Sequence, residues 1–122
     1  MNEDGMIYEE LAPISQSAAE AAFASGDGRA IGGALLRLAL HGPDWRVAEQ
    51  HALRHLAHDD VWVRRNAATA LGHVARLSRD LDVDSVVPAL KALLSDPEVG
   101  GCAEDALDDI EVFMGVRWKN GR

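Results

Sequence analysis

The chain is similar to itself at a spacing of 36 residues. Shifting the sequence by that amount superimposes six pairs of residues: Asp60 on Asp96, Val63 on Val99, Ala67 on Ala103, Ala70 on Ala106, Leu71 on Leu107 and Val74 on Ile110. In both copies the apolar residues follow one another at the spacing of a single face of an α-helix. A period of about 20–50 residues indicates a chain built from stacked supersecondary units.

A shorter pattern precedes each copy. After an adjustment of one residue, Leu53, Leu56 and Asp59 fall on Leu90, Leu93 and Asp96. Each unit therefore consists of one helix, a tight acidic turn and a second helix. Because such a hairpin cannot bury its own apolar face, stacking several hairpins is the physical solution.

Periodicity and capping residues predict six helices over the rest of the chain. They span about residues 14–24, 29–40, 45–57, 61–77, 86–94 and 97–115. Asp is a preferred residue just before a helix, where its side chain caps the first turn. Asp44, Asp60 and Asp96 are therefore placed as N-caps. Pro97 is placed at the first position of the last helix and Pro88 in the first turn of the fifth. The buried stripe of the fourth helix is predicted to end at Leu77.

The 122 residues are predicted to form one domain with four parts. These are a loosely ordered arm (1–13), in which Met6, Ile7 and Tyr8 could act as anchors, N-terminal capping helices (14–41), and two repeats (44–78 and 84–115). No alternation of period two extends far enough to predict a strand.

The charge balance bears on the class of partner. The chain has 20 acidic and 12 basic residues and a formal net charge of −8, which disfavours binding to nucleic acid. It favours a basic protein partner, although net negative charge also serves solubility alone. No apolar stretch approaches the roughly 20 residues that span a bilayer, so we expect no membrane association and a cytoplasmic location. The single cysteine, Cys102, is expected to be an ordinary buried thiol.

The sequence does not favour catalysis, a metal or a cofactor. His51 and His55 stand at i and i+4 on one helix face, with His58 one turn further on, and two histidines at that spacing can clamp an ion. Zinc, however, needs a third or fourth ligand, the segment lacks a His-Glu-x-x-His arrangement, and the single cysteine is far away in the sequence. The acids of the last helix lie on an open face rather than in a cleft. Gly32 and Gly33 follow no strand, so they do not indicate a phosphate-binding loop. We therefore expect a protein that is not an enzyme.

The run Asp60-Val61-Trp62-Val63-Arg64-Arg65-Asn66-Ala67-Ala68-Thr69-Ala70-Leu71-Gly72 resembles the second helix of a HEAT-type repeat. Asp96-Pro97-Glu98-Val99 followed by Ala103, Ala106 and Leu107 is similar, and the resemblance covers about residues 44–115. It implies an all-α fold, a short right-handed α-solenoid of HEAT-like helical hairpins with about six helices. Gly100 departs from the family, which commonly has Arg there. Asp44-Trp45-Arg46-Val47 also resembles the start of a second helix, which leaves the register of the first repeat open.

The HEAT resemblance implies that second helices line a concave binding side. On the fourth helix this places Trp62, Arg65, Asn66, Thr69, His73 and Arg76 there, and on the sixth Glu104, Asp105, Asp108, Asp109 and Glu111. Three tryptophans are candidate interface anchors, with packing at a helix end as the alternative for each: Trp45, Trp62 and Trp118.

The segment 103–113 is similar to HEAT-type immunity proteins of bacterial contact-dependent growth inhibition. That resemblance implies a non-catalytic protein that binds and neutralises a basic toxin domain. A general HEAT-repeat adaptor or scaffold is the first alternative. A HEAT-like bilin lyase or DNA glycosylase is the second, and the short, acidic chain counts against it.

Overall fold

The computed structural model describes residues 12–119, which contain six α-helices and no strands. The helices are α1 (Gln16–Ala24), α2 (Gly28–His41), α3 (Trp45–His55), α4 (Val61–Ser78), α5 (Val83–Lys91) and α6 (Gly100–Met114). The prediction of an all-α fold with six helices is confirmed for this part of the chain. The anchoring predicted for Met6, Ile7 and Tyr8 falls outside the described residues.

The helices form two layers, as in a short solenoid. The even-numbered helices make one layer, in which α4 lies in the middle and packs most extensively against α2 and α6. The odd-numbered helices make the other, where Phe23 of α1 stacks on His51 of α3, and Glu49 of α3 binds the backbone at the start of α5. No helix among the described residues has the length and apolar character needed to cross a membrane.

The predicted buried pairs form the core of the even-numbered layer. All ten side chains are at most 2% exposed: Val63 and Val99, Ala67 and Ala103, Ala70 and Ala106, Leu71 and Leu107, and Val74 and Ile110. Most of these side chains are small, so the helix backbones approach closely. A Cβ added to Gly72 of α4 would lie only 3.2 Å from Ala106 Cα of α6.

Side-chain caps fix where the first four helices begin. Ser15, Asp27, Asp44 and Asp60 each accept a backbone N–H from the first turn of the helix that follows. The predicted caps at Asp44 and Asp60 are confirmed.

The last two helices begin elsewhere than predicted. Regular helix α6 starts at Gly100, not Pro97, and residues 97–99 form a turn in which Asp96 Oδ1 accepts the N–H groups of Glu98 and Val99. Asp96 therefore holds the turn ahead of the helix and does not cap the regular helix itself. Helix α5 starts at Val83, so Pro88 is its sixth residue and lies beyond the first turn.

Two burial predictions were wrong. Leu77 is 50% exposed, because the chain leaves α4 through Arg79, which has a left-handed backbone conformation. Leu81, at 6% exposure, covers the core in place of Leu77. Cys102 lies about 100° around α6 from the fully buried Ala103, so it packs against the core but is only partly buried.

Candidate functional site

The outer face of α4 carries Trp62, Arg65, Thr69 and His73. Asp60 Oδ1 accepts the Trp62 N–H at 2.8 Å and so sets the start of the helix and its rotation. Val63 is then fully buried, whereas Trp62 is 48% exposed. Arg65 is exposed, and Thr69 and His73 are half-buried. From Trp62 to His73 the face extends about 16 Å at 1.5 Å per residue.

Trp62 is held against α2. Asn66, which is 9% exposed, donates from Nδ2 to the Trp62 carbonyl at 2.8 Å. A Cβ on Gly32 of α2 would lie 2.9 Å from Trp62 Nε1 and 3.0 Å from Asn66 Nδ2, so only glycine lets the two helices meet here without a shift. The Arg29 guanidinium lies 5.9 Å from the centroid of the Trp62 ring, which is cation–π distance.

Between α2 and α4 is a cleft of about 270 Å³. Its lining comprises Asp27, Arg29, Ala30, Gly33, Ala34, Leu36, Arg37, Trp62 and Asn66. Arg37 donates from Nε to the Ala12 carbonyl at 2.7 Å and from Nη2 to the Pro13 carbonyl at 3.0 Å. Arg29 and Arg37 were not among the residues predicted from the sequence. The available signal was Gly32-Gly33 inside a helix, a pattern that allows close approach of another helix.

His73 and Arg76 form a pair on the same face of α4. Arg76 Nη2 lies 2.6 Å from His73 Nδ1, which accepts its hydrogen bond when the imidazole is neutral. Burial lowers the pKa of His73, and the positive charge of Arg76 lowers it further. At neutral pH this pair therefore presents one positive charge.

The five predicted acids of α6 span an arc of about 160° on the side away from the core at 3.6 residues per turn. Glu104 and Asp105 are exposed, whereas Asp108, Asp109 and Glu111 are half-buried. Asp109 lies on the α4 flank, where a Cβ on Gly72 would be 3.0 Å from its Oδ2. Burial raises the pKa of Asp109, opposed by Arg76 and reinforced by Asp105 and Asp108. The structure thus brings Asp109 next to the α4 face and leaves Glu104 and Glu111 on the opposite flank.

The three tryptophans have different roles. Trp118 is 7% exposed, and its Nε1–H donates to Asp108 Oδ1 at 3.3 Å, so it packs over the end of the core as the alternative interpretation predicted. Trp45 is half-buried at the start of α3 with the Arg46 guanidinium 4.7 Å from its ring centroid. Trp62 is the most exposed of the three.

The histidines of α3 and of the turn that follows it contact aromatic rings and the backbone. The His51 and His55 rings lie 4.4 and 5.1 Å from Phe23, and His55 Nδ1 is 2.7 Å from the His51 carbonyl. His58 Nδ1 accepts the Asp60 N–H at 3.0 Å. Within residues 12–119, no three His, Cys, Asp or Glu side chains are grouped so as to hold a metal ion.

Comparison with known proteins gives no match to a protein-family model and no significant match to a curated protein. Among solved structures, the chain is similar to a chain in the crystal structure of a CDI complex from Cupriavidus taiwanensis LMG 19424. The two chains share 33% sequence identity with a TM-score of 0.77, and the match covers 84% of this chain and 93% of that chain. At this identity and coverage, the protein belongs to the same family as that component of the CDI complex.

Proposed function

We propose that this protein is the immunity protein of a contact-dependent growth inhibition (CDI) system and that it binds and neutralises the associated toxin. The observation that carries the proposal is the 33% identity to a component of a CDI complex, over 93% of that chain. The similarity of segment 103–113 to HEAT-type immunity proteins favours the immunity component over the toxin. We place its action in the cytoplasm, where the toxin would have to be neutralised.

We further propose that residues 44–78 and 84–115 are HEAT-like repeats and that residues 14–41 cap them. In support, each repeat is one helical hairpin, α3–α4 or α5–α6, with equivalent apolar positions buried. Asp60 and Asp96 also act alike, since each accepts the N–H of the residue two positions later. Arg64 Nη2 lies 3.9 Å from Asp96 Oδ2 and links the repeats. At the position equivalent to Arg64, a Cβ on Gly100 would be 2.6 Å from the Leu94 carbonyl oxygen, which explains that departure.

The binding face we propose is the outer side of α4 and α6. A half-exposed tryptophan such as Trp62 is the residue type that most often dominates interface energies. The α6 acids, on a chain of net charge −8, would complement a basic toxin domain and speed its association.

The direct test uses the toxin domain of the CDI system that the proposal assigns to this chain. We expect the purified chain to bind it with a 1:1 stoichiometry by calorimetry, and expression of the chain to restore growth of cells that make the toxin. The Asp44→Ala variant, altered at the cap of α3 in the other layer, controls for general effects of substitution. Absence of both binding and protection by the wild-type chain would refute the proposal.

The role of the acids can be separated from net charge. Glu104→Lys with Asp105→Lys raises the formal charge from −8 to −4, as does Glu20→Lys with Asp84→Lys on α1 and α5. We expect the α6 pair to slow association with the toxin by about tenfold or more at 50 mM salt, and the control pair by about threefold or less. Equal slowing by both pairs, measured by stopped-flow fluorescence, would show that the α6 acids are not part of the interface.

A further inference from the structure

The cleft between α2 and α4 is built into the helix packing. Gly32 lets α2 approach Trp62 and Asn66 of α4, whereas a Cβ on Gly33, which lines the cleft, would meet nothing within 4 Å. Ala30 and Ala34 complete a wall of small side chains on α2. The opening therefore results from residues of low volume between two packed helices.

The cleft is positively charged although the protein as a whole is negative. Arg29 and Arg37 lie along its α2 side, and neither forms an ion pair within residues 12–119. The hydrogen bonds of Arg37 go to two carbonyl oxygens, which leave its charge uncompensated. Asp27 is the single acid among the described residues of the lining, and its Oδ1 accepts the backbone N–H of Arg29.

The size and chemistry of the cleft fit side chains of a protein better than a separate small molecule. A volume of about 270 Å³ is just below the range of ligand pockets, which usually measure about 300–1,000 Å³. Trp62 offers apolar contact beside the guanidinium of Arg29, and Leu36 is a further apolar side chain in the lining. An arginine fork pairs most strongly with a carboxylate, in a bidentate arrangement.

We propose that this cleft receives a loop of the toxin that carries an Asp or Glu, whose carboxylate pairs with Arg29 while the neighbouring side chain packs on Trp62. Arg37 adds a second positive charge at the other end of the cleft. The inference rests on the proposed function. At this one point the signs of the attracting charges are reversed, because a toxin that is basic overall inserts an acidic loop into a positively charged cleft. This contact fixes the orientation of the bound toxin, because each partner carries here the opposite charge to that of its surrounding surface.

The experiment compares three variants of the chain for affinity to that same toxin domain. Arg29→Glu and Trp62→Ala each remove one feature of the cleft, and Arg54→Glu makes the same charge change at an exposed position of α3. We expect the first two to raise the Kd by about tenfold or more and Arg54→Glu to change it by about threefold or less. Because both Glu substitutions increase the net negative charge, a loss confined to Arg29→Glu cannot come from long-range attraction. Circular dichroism checks that each variant is folded.

A charge exchange completes the test. Converting each toxin Asp and Glu to Lys should identify one position at which binding to Arg29→Glu is restored to within about threefold of the wild-type pair. An unchanged Kd for Arg29→Glu and Trp62→Ala, with the wild type still binding and protecting, overturns the cleft proposal and leaves the proposed function intact. If the Arg29→Glu effect disappears in a chain that also carries Glu9→Lys and Glu10→Lys, the cleft binds the protein's own N-terminal acids and the proposal is also wrong. A wild-type chain that neither binds nor protects removes both proposals.

Discussion

Glu49 is a buried carboxylate that joins α3 to the start of α5. Its side chain is 6% exposed, and Oε1 accepts the backbone N–H of Asp82 at 2.6 Å. Burial raises the pKa of Glu49 above its ordinary value near 4.5, and the charges of Asp82 and Asp80 add to the effect, while the hydrogen bond and Arg46 oppose it. The folded protein therefore binds a proton at Glu49 more tightly than the unfolded chain does.

Glu49→Gln should abolish this contribution to the pH dependence of stability. The free energy of unfolding contributed by a carboxyl with a raised pKa is highest at acid pH and falls as the pH rises from about 4.5 through the folded pKa. Glutamine keeps the oxygen acceptor and carries no charge. We expect the stability of Glu49→Gln relative to wild type to increase between pH 4 and pH 7, as measured by urea unfolding. Glu20→Gln on the surface of α1 controls for loss of a charge, and a difference for Glu49→Gln that is constant with pH would contradict the account.

At the scale of single residues, the helix caps and the core could be predicted from the sequence, but the buried contact of Glu49 could not. Asp60 caps the helix by accepting the N–H of Trp62, two residues later, and Val63 belongs to the buried stripe of the same helix. The local spacing of residues therefore predicts both roles. Glu49 acts through Asp82, 33 residues away, and its immediate neighbours give no indication of that contact. The same holds for Arg37 and the carbonyl of Ala12, which are separated by 25 residues.

At the scale of elements, the contact between α4 and α6 depends on the absence of a side chain at Gly72. A Cβ there would lie 3.2 Å from Ala106 Cα and 3.0 Å from Asp109 Oδ2, closer than most real Cβ contacts. A Cβ on Gly101 of α6 would meet nothing within 4 Å. Replacing each of these two glycines by alanine therefore separates the effect of helix packing from that of helix propensity.

Gly72→Ala should destabilise the protein and Gly101→Ala should stabilise it. Alanine favours a helix over glycine by about 1 kcal/mol at an interior position, and by less near a helix end such as Gly101. At Gly72 the cost of separating two packed helices, about 1–3 kcal/mol for added volume in a packed core, exceeds that gain. Thermal unfolding followed by circular dichroism measures both, and a rise in Tm for Gly72→Ala would show that α6 moves away at little cost.

The order of the elements could be predicted because helix–turn–helix units recur with the same apolar spacing. The ends of α5 and α6 could not, since they depend on how the segment 92–99 packs. There the Leu94 carbonyl approaches Gly100, and the chain continues as turns from Ala92 to Ser95 instead of helix. The α2–α4 cleft was also beyond prediction, because it results from the contact of two helices separated along the chain by α3.

At the scale of the whole molecule, the end of the stack beyond α6 is covered by the chain that follows. Gly115, at a φ of 73°, ends α6 and turns the chain back, which a residue with a side chain seldom allows. Trp118 then packs onto the core at 7% exposure and donates to Asp108. In helical stacks such a cover shields the outer side of a hairpin from solvent.

Trp118→Ala should lower the free energy of unfolding by about 3–5 kcal/mol, the range for truncating a large buried aromatic side chain. Trp118→Phe keeps most of the packing and loses only the hydrogen bond to Asp108, so we expect a loss of about 0.5–1.5 kcal/mol beyond the small change in volume. Chemical denaturation measures both. Unchanged stability in Trp118→Ala, together with weaker binding to the toxin, would instead make Trp118 an interface anchor.

The central place of α4 also determines how the protein opens in solution. Helix α4 contacts α2, α3 and α6, whereas α1 rests chiefly on α2 and α5 chiefly on α6. Peripheral elements with few neighbours separate at lower free energy than the elements they cover. Amide hydrogens of α1 and α5 should accordingly exchange with deuterium first, and those of α4 only when the whole fold is lost. The helix that presents Trp62 is thus also the last to open, which keeps the proposed binding face rigid while the outer helices fluctuate.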